Sequence, residues 1–288
     1  MSRSAGSRAN RRGEPPPSPE PLPSPAVDSH THLDIAVGGE DRHPSDAEVD
    51  EAVADAVAVG VPRLVQVGVD VGSSRWSADL AARRPEVLAA VALHPNEAGA
   101  GAATEQALAE IDRLAALPRV RAVGETGLDR YRTGPEGWAA QEASFRAHVE
   151  IAKRHGLALV VHDRDAHDEV LRVLDDEGAP EHTVLHCFSG DAAFARRCVE
   201  RGFVLSFAGT LTFGNAGYLR EAAALTPVRQ LLVETDAPFL TPAPLRGRPN
   251  SSRLVPHTVR ALADVTGAPL DQLCRALTEN AERVFGPW

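Results

Sequence analysis

Of the eleven histidines in the chain, five stand where short apolar runs end: His30, His32, His94, His162 and His186. Glu125 and Asp236 stand at the ends of two more. Imidazoles and carboxylates are the side chains that bind divalent cations and carry protons near neutral pH. His30 and His32 are two apart, so on a strand they share a face and two ring nitrogens can reach one cation. Asp28 and Asp34 flank them at the same parity. Glu125 lies between Gly124 and Gly127, which permit close backbone approach and an unusual turn and so suit a rigidly aimed ligand. His162 closes Leu159-Val160-Val161 and His186 closes Val184-Leu185. Either could be a satisfied core histidine taken singly; two in corresponding positions favour a shared site. Asp236 can bind a cation and accept a proton from its water, or cap a turn ahead of Pro238.

These residues need a scaffold that brings distant segments together. From Val27 onward, short β-branched runs alternate with amphipathic stretches of helical length, the pattern of βα units in a parallel sheet. Eight strands are expected, at Val27 to Leu33, Arg63 to Val69, Val87 to Leu93, Val120 to Gly124, Leu157 to Val161, Thr183 to His186, Phe203 to Phe207 and Gln230 to Glu234. Ser45-Asp46-Ala47-Glu48 is a capping box opening a helix that Gly60 closes. Eight strands in strict alternation with helices predict an α/β fold, a single (β/α)8 TIM-like barrel, with an open doubly wound sheet as the alternative. In both, ligands bind at the carboxyl ends of the strands. Residues 1–26, rich in proline, read as a flexible, disordered N-terminal tail, and 27–288 as the barrel.

Composition narrows the partners. The 288 residues carry 30 basic against 40 acidic side chains, a net charge of −10, so the surface is not built to attract a polyanion non-specifically. Lys153 is the only lysine. Three widely spaced cysteines, Cys187, Cys198 and Cys274, form neither a disulfide framework nor a thiolate metal motif, and a reducing cytoplasm is the simplest setting. No apolar run reaches the ~18 residues of a membrane helix. The oligomeric state is left open.

The segments that carry these side chains resemble the TatD family of metal-dependent deoxyribonucleases, barrel-shaped metal hydrolases. The resemblance runs through Asp28-Ser29-His30-Thr31-His32-Leu33-Asp34, Gly124-Glu125-Thr126-Gly127-Leu128-Asp129, His162 with Arg164, His186-Cys187-Phe188-Ser189-Gly190, Thr212-Phe213-Gly214-Asn215-Ala216 and Glu234-Thr235-Asp236-Ala237-Pro238-Phe239-Leu240. It implies two divalent ions, Mg, Mn or Zn: His30, His32, Glu125 and Asp236 would hold one, and Glu125, His162 and His186 the second, with Glu125 shared. Three positions depart from the family pattern: Arg130 replaces an aromatic residue, Asp163 a small polar one, and Ser251-Ser252 a Glu-Pro pair.

Two cations sharing a carboxylate sit roughly 3.5–4 Å apart and can clamp the attacking and leaving oxygens of a phosphodiester while acidifying a water. Asp236 is then the general base, with Glu125 beside it in the catalytic set. His94 and Arg164 are expected to contact phosphate, with Arg246 and Asn250 as further contacts. The expected substrate is DNA or RNA entered from a single-stranded end. Two other readings stand beside it. One is an ester or amide hydrolase, such as a D-aminoacyl-tRNA deacylase; the other is a metal-binding barrel without catalysis. The hydrolases that bridge their metals with a carbamylated lysine are excluded, because Lys153 falls in a predicted helix.

Overall fold

A computed structural model describes residues 14–39 and 42–288. Its strands are β1 (Val27–Thr31), β2 (Arg63–Val67), β3 (Val87–Val91), β4 (Val120–Asp129), β5 (Ala158–Arg164), β6 (Thr183–Leu185), β7 (Val204–Phe207) and β8 (Leu231–Val233). They lie in one sheet in the order β1 to β8, a TIM-barrel-like arrangement in which helices follow the strands. Every residue of β1 and of β3 is buried, as expected of strands covered on both faces.

Two compact units emerge from the packing. The first takes the described residues up to Val65 with Asp191–Arg196 and Ser206–Ala281. It holds β1, α1 (Leu33–Gly38), α2 (Asp46–Ala58), the first part of α8 (Ala192–Glu200), α9 (Gly217–Leu225), β8 and, after it, α10 (Val255–Thr266) and most of α11 (Leu270–Phe285). Thr31 pairs in parallel with Ala237, so the end of β1 is tied to the segment leaving β8. The capping box is formed as the sequence predicts: Ser45 Oγ accepts the Glu48 N–H, and the Glu48 carboxylate accepts the Ser45 N–H at 2.9 Å.

The segment expected as a tail makes contacts within this unit. Residues 1–13 lie outside the described residues, but residues 14–26 are fixed in place. Leu22 and Ala26 donate backbone N–H groups to Val59 and Gly60, and Leu22 is buried. Prolines supply no N–H, but their carbonyls still accept. Arg253 donates to Pro16 O at 2.7 Å, Arg260 to Glu20 O and Pro21 O, and Thr278 to Pro25 O. Side chains from the region of α10 and α11 thus replace the missing ladder.

The second unit takes Gln66–Gly190, Arg197–Leu205 and Glu282–Trp288. It contains α3 (Val71–Arg83), β3, α4 (Pro95–Gly99), α5 (Glu105–Ala115), β4, α6 (Pro135–His155), β5, α7 (His167–Glu177) and β6. Here β4 is twice as long as expected and runs on to Asp129. It pairs with β5 from Ala122↔Ala158 to Asp129↔Arg164, with a shift between Gly124 and Thr126 that leaves Glu125 out of the ladder. The helices α1 and α4, of six and five residues, are additions to the expected pattern. Lys153 lies in α6, exposed and paired with Glu150. Among the described residues no helix is long and apolar enough to cross a membrane.

Candidate metal centre

In the first unit, β1 delivers His30 and His32 beside Asp236. His30 O accepts the Asp236 N–H at 3.0 Å, and Ala237 O accepts the His32 N–H at 2.9 Å. Backbone bonds therefore fix the two imidazoles against the turn after β8. The ring nitrogens converge: His30 Nε2 and His32 Nε2 are 3.3 Å apart, and both face Asp236 Oδ1, at 3.9 and 3.5 Å. Asp236 adopts φ 51°, a left-handed conformation costly for a residue with a Cβ, and one that recurs at functional sites.

The turn is held from both sides. Asp28, fully buried, accepts the Thr235 N–H at 2.9 Å on one oxygen and the Thr235 hydroxyl at 2.6 Å on the other. Burial pushes the Asp28 carboxyl up to about 7, against the lowering effect of these bonds. Asn250 is buried too; its amide donates to Thr235 O at 2.9 Å and to Phe239 O, and its carbonyl accepts the Ser251 N–H. An amide committed in this way holds the loop, whereas the sequence suggests a substrate contact. Arg246 stacks on Phe213, its guanidinium 4.2 Å from the ring centroid.

The second unit holds a larger cluster around Glu125. The bulge re-aims this side chain out of the β4 ladder, and glycine makes the bulge possible. A Cβ at Gly124 would lie 2.5 Å from Val160 Cβ, and one at Gly127, where φ is +140°, would lie 2.1 Å from His162 O. Glu125 Oε2 faces His186 Nε2 at 2.8 Å, His162 Nδ1 at 3.1 Å and His94 Nε2 at 3.6 Å. Burial alone would raise the Glu125 carboxyl, but the imidazoles of His94, His186 and His162 outweigh it and hold the group well below the ordinary carboxylate range.

The three imidazoles differ in what they can do. His94 caps α4, its Nδ1 accepting the Asn96 N–H at 3.0 Å. Burial pushes it down to about 3, against the raising effect of the Glu125 carboxylate. His94, expected against phosphate, stands with its Nε2 3.6 Å from Glu125 Oε2. One layer behind, His148 in α6 accepts the Leu93 N–H on Nε2 at 3.0 Å and donates from Nδ1 to Ser144 O at 2.7 Å. It is a core histidine that fixes the backbone under His94. His162 lies between two carboxylates, with Nδ1 toward Glu125 and Nε2 3.4 Å from Asp129 Oδ2. Burial would lower the His162 imidazole, but both carboxylates raise it. Asp129, absent from the expected ligand set, is held at about 2, because the bonds to His162 and the Arg132 N–H outweigh its burial. Its signal in the sequence is slight: a second carboxylate beyond Gly127.

Each cluster fits a divalent cation by the chemistry of its donors. Buried imidazole nitrogens face one another at 3.3 Å in the first unit and at 3.4 Å, between His186 Nε2 and His162 Nδ1, in the second, each pair with a carboxylate oxygen alongside. Lone pairs gathered so closely are what a cation would satisfy, and imidazole-rich sets with a carboxylate favour zinc or another transition metal by affinity. Three of the donors, on His94, Glu125 and His162, lie within 4.8 Å of one another. Arg164 lies two residues beyond His162 on the same face of β5, its guanidinium 4.1 Å from the Tyr131 ring centroid.

Comparison with known proteins gives concordant results. Residues 27–286 match the family model described as TatD related DNase. An uncharacterized metal-dependent hydrolase TatD of Mycobacterium tuberculosis is 48% identical over 264 residues, covering 90% of this chain and 97% of the relative. A 3'-5' ssDNA/RNA exonuclease TatD of Citrobacter rodentium is 37% identical over 247 residues, covering 82% and 91%. Among solved structures, the TatD homolog YJJV of Escherichia coli K12 superposes with a TM-score of 0.83 at 26% identity, over 90% of this chain and 97% of that one.

Proposed function

The chain belongs to the TatD related DNase family and is a metal-dependent hydrolase, and from that premise we propose that it removes nucleotides from the 3' ends of single-stranded DNA or RNA. The observation that carries this reading is the buried Glu125 carboxylate ringed by His94, His162 and His186. The polarity and the single-stranded substrate are taken from the relative named as a 3'-5' ssDNA/RNA exonuclease.

His30, His32 and Asp236 would hold one divalent ion, and His162 and His186 the other. The sequence resemblance gives Glu125 to both. Such ions supply acidity to a bound water and positive charge for the phosphate oxygens. Asp236 is the general base: its side chain is 14% exposed, so water reaches it while His30 and His32 hold its orientation. As the water oxygen bonds to phosphorus, its proton passes to the Asp236 carboxylate, the bond to the leaving 3' oxygen of the shortened strand breaks, and that oxygen takes a proton from solvent. Arg164 holds a phosphate as a charge-assisted donor, with Arg246 as a second contact. His94, beside Glu125 at 3.6 Å, is a further phosphate contact.

Net charge bears on which substrate is possible. At −10 with a single lysine, net charge does not favour non-specific attraction to a long backbone, so affinity comes from a few phosphates beside the ions. A strand end supplies those.

Turnover of single-stranded DNA, duplex DNA, RNA and aminoacylated tRNA, each with magnesium, manganese and zinc, tests the proposal. Mononucleotide release from the two single-stranded polymers, fastest on the free 3' end, is the expected result. Deacylation of the tRNA without phosphodiester cleavage would replace it with an ester hydrolase, and rapid nicking of closed circular DNA with an endonuclease.

A further inference from the structure

Past Asp129, the chain leaves β4 through Arg130, Tyr131 and Arg132. Tyr131 is 66% exposed, in a chain whose aromatic content is only 5%. One face of its ring is covered by the Arg164 guanidinium at 4.1 Å. Among the described residues, no carboxylate lies within ion-pair distance of Arg164. The neighbouring Arg130 differs: it is paired with Glu169 at 3.0 Å and stacks on Trp138. Arg130 is therefore committed to the fold, whereas Arg164, whose charge helps lower the neighbouring Asp129 carboxyl, makes no direct ion pair among the described residues and can meet a ligand.

The position of Tyr131 is tied to the Glu125 cluster through one side chain. Asp129 Oδ1 accepts the N–H groups of Tyr131 at 3.0 Å and Arg132 at 2.7 Å, while Oδ2 faces His162 Nε2 at 3.4 Å. Arg164 is fixed from the other side, since its carbonyl accepts the Arg130 N–H at 2.9 Å and it stands in register with Asp129. A solvent-facing ring, backed by a cation and anchored through Asp129 to the proposed ligand His162, has the make-up of a base-stacking platform.

We infer that Tyr131, with Arg164 behind it, stacks the nucleobase next to the phosphodiester that is hydrolysed. The inference rests on the nuclease reading above and adds to it a requirement for an unpaired base. A base inside a duplex has both faces occupied, whereas a terminal unpaired base is free to lie on the open face of the ring. Arg164 then serves twice, backing the ring and meeting a phosphate of the same nucleotide.

The test uses metal-loaded protein, wild type and the variants Tyr131→Ala and Tyr131→Phe. Substrates are single-stranded oligonucleotides ending in a natural nucleotide or in a base-free sugar. Tyr131→Ala should raise KM on the natural end by about ten-fold or more, with kcat within a few-fold and metal content unchanged. Tyr131→Phe should restore KM. On the base-free end the wild type should already show the raised KM, and Tyr131→Ala should add nothing. A terminal 2-aminopurine should be quenched on binding to wild type and much less by Tyr131→Ala. Equal KM for wild type and Tyr131→Ala on the natural end, or an equal loss on the base-free end, would overturn the platform. Wild type that cuts neither oligonucleotide would instead overturn the nuclease reading itself.

Discussion

Asp28 and Thr235 are joined twice, one carboxylate oxygen taking the Thr235 N–H at 2.9 Å and the other its hydroxyl at 2.6 Å. Since His30 lies two residues after Asp28 and Asp236 directly follows Thr235, this pair sets how the first cluster is assembled. Thr235→Val keeps the shape but leaves a buried carboxylate oxygen without its donor, a loss of about 1–3 kcal/mol. Asp28→Asn should cost a similar amount. In a double-mutant cycle read by thermal unfolding, the double variant should lose less than the sum of the singles, and strict additivity would refute the coupling.

Gly127 is where β4 meets the His162 backbone. An added Cβ would lie 2.1 Å from His162 O at a φ of +140°. Gly127→Ala should destabilise the protein by about 2–4 kcal/mol and weaken metal binding by displacing His162. Calorimetry and metal titration would check this, with unchanged values in both contradicting the tight register.

Asp236→Asn keeps the size of the side chain and one oxygen but removes most of its basicity. Turnover on an oligonucleotide should fall by about 10²-fold or more, with KM little changed. A loss of only a few-fold would assign the proton to another group.

His148 provides a pH test away from the proposed ligands. Burial pushes it down to about 4 from an ordinary 6.5. The folded state keeps this group neutral where the unfolded chain already takes up a proton, so its contribution to stability is intact above pH 6.5 and falls as pH drops toward 4. Across that window the loss is about 3 kcal/mol. His148→Gln can still accept from Leu93 and donate to Ser144, and should flatten the profile. A variant with the wild-type slope between pH 6.5 and 4 would show that His148 does not set it.

The strands were legible because buried β-branched runs leave a periodicity that flanking turns punctuate, and the Ser45–Glu48 box forms as expected. What stayed hidden depends on register. Gly124-Glu125-Thr126-Gly127 reads as a turn, and only pairing with β5 turns it into a bulged strand that reaches Asp129. Asn250 has the composition of a ligand contact, yet burial commits its amide to backbone carbonyls. The proline-rich residues 14–26 look unstructured because the donors that hold them lie more than two hundred residues away, on Arg253, Arg260 and Thr278. The donor-bearing residues were legible because side chains with that chemistry are rare at the ends of apolar strands.

Metal dependence of strand-end hydrolysis is the decisive measurement. Chelator-stripped protein given a 3'-labelled single-stranded oligonucleotide should release no mononucleotide, and addition of magnesium, manganese or zinc to about two ions per chain should restore stepwise release. Undiminished release in chelator, or none with any of the three metals while the protein remains folded, would contradict a metal-dependent 3'-5' exonuclease.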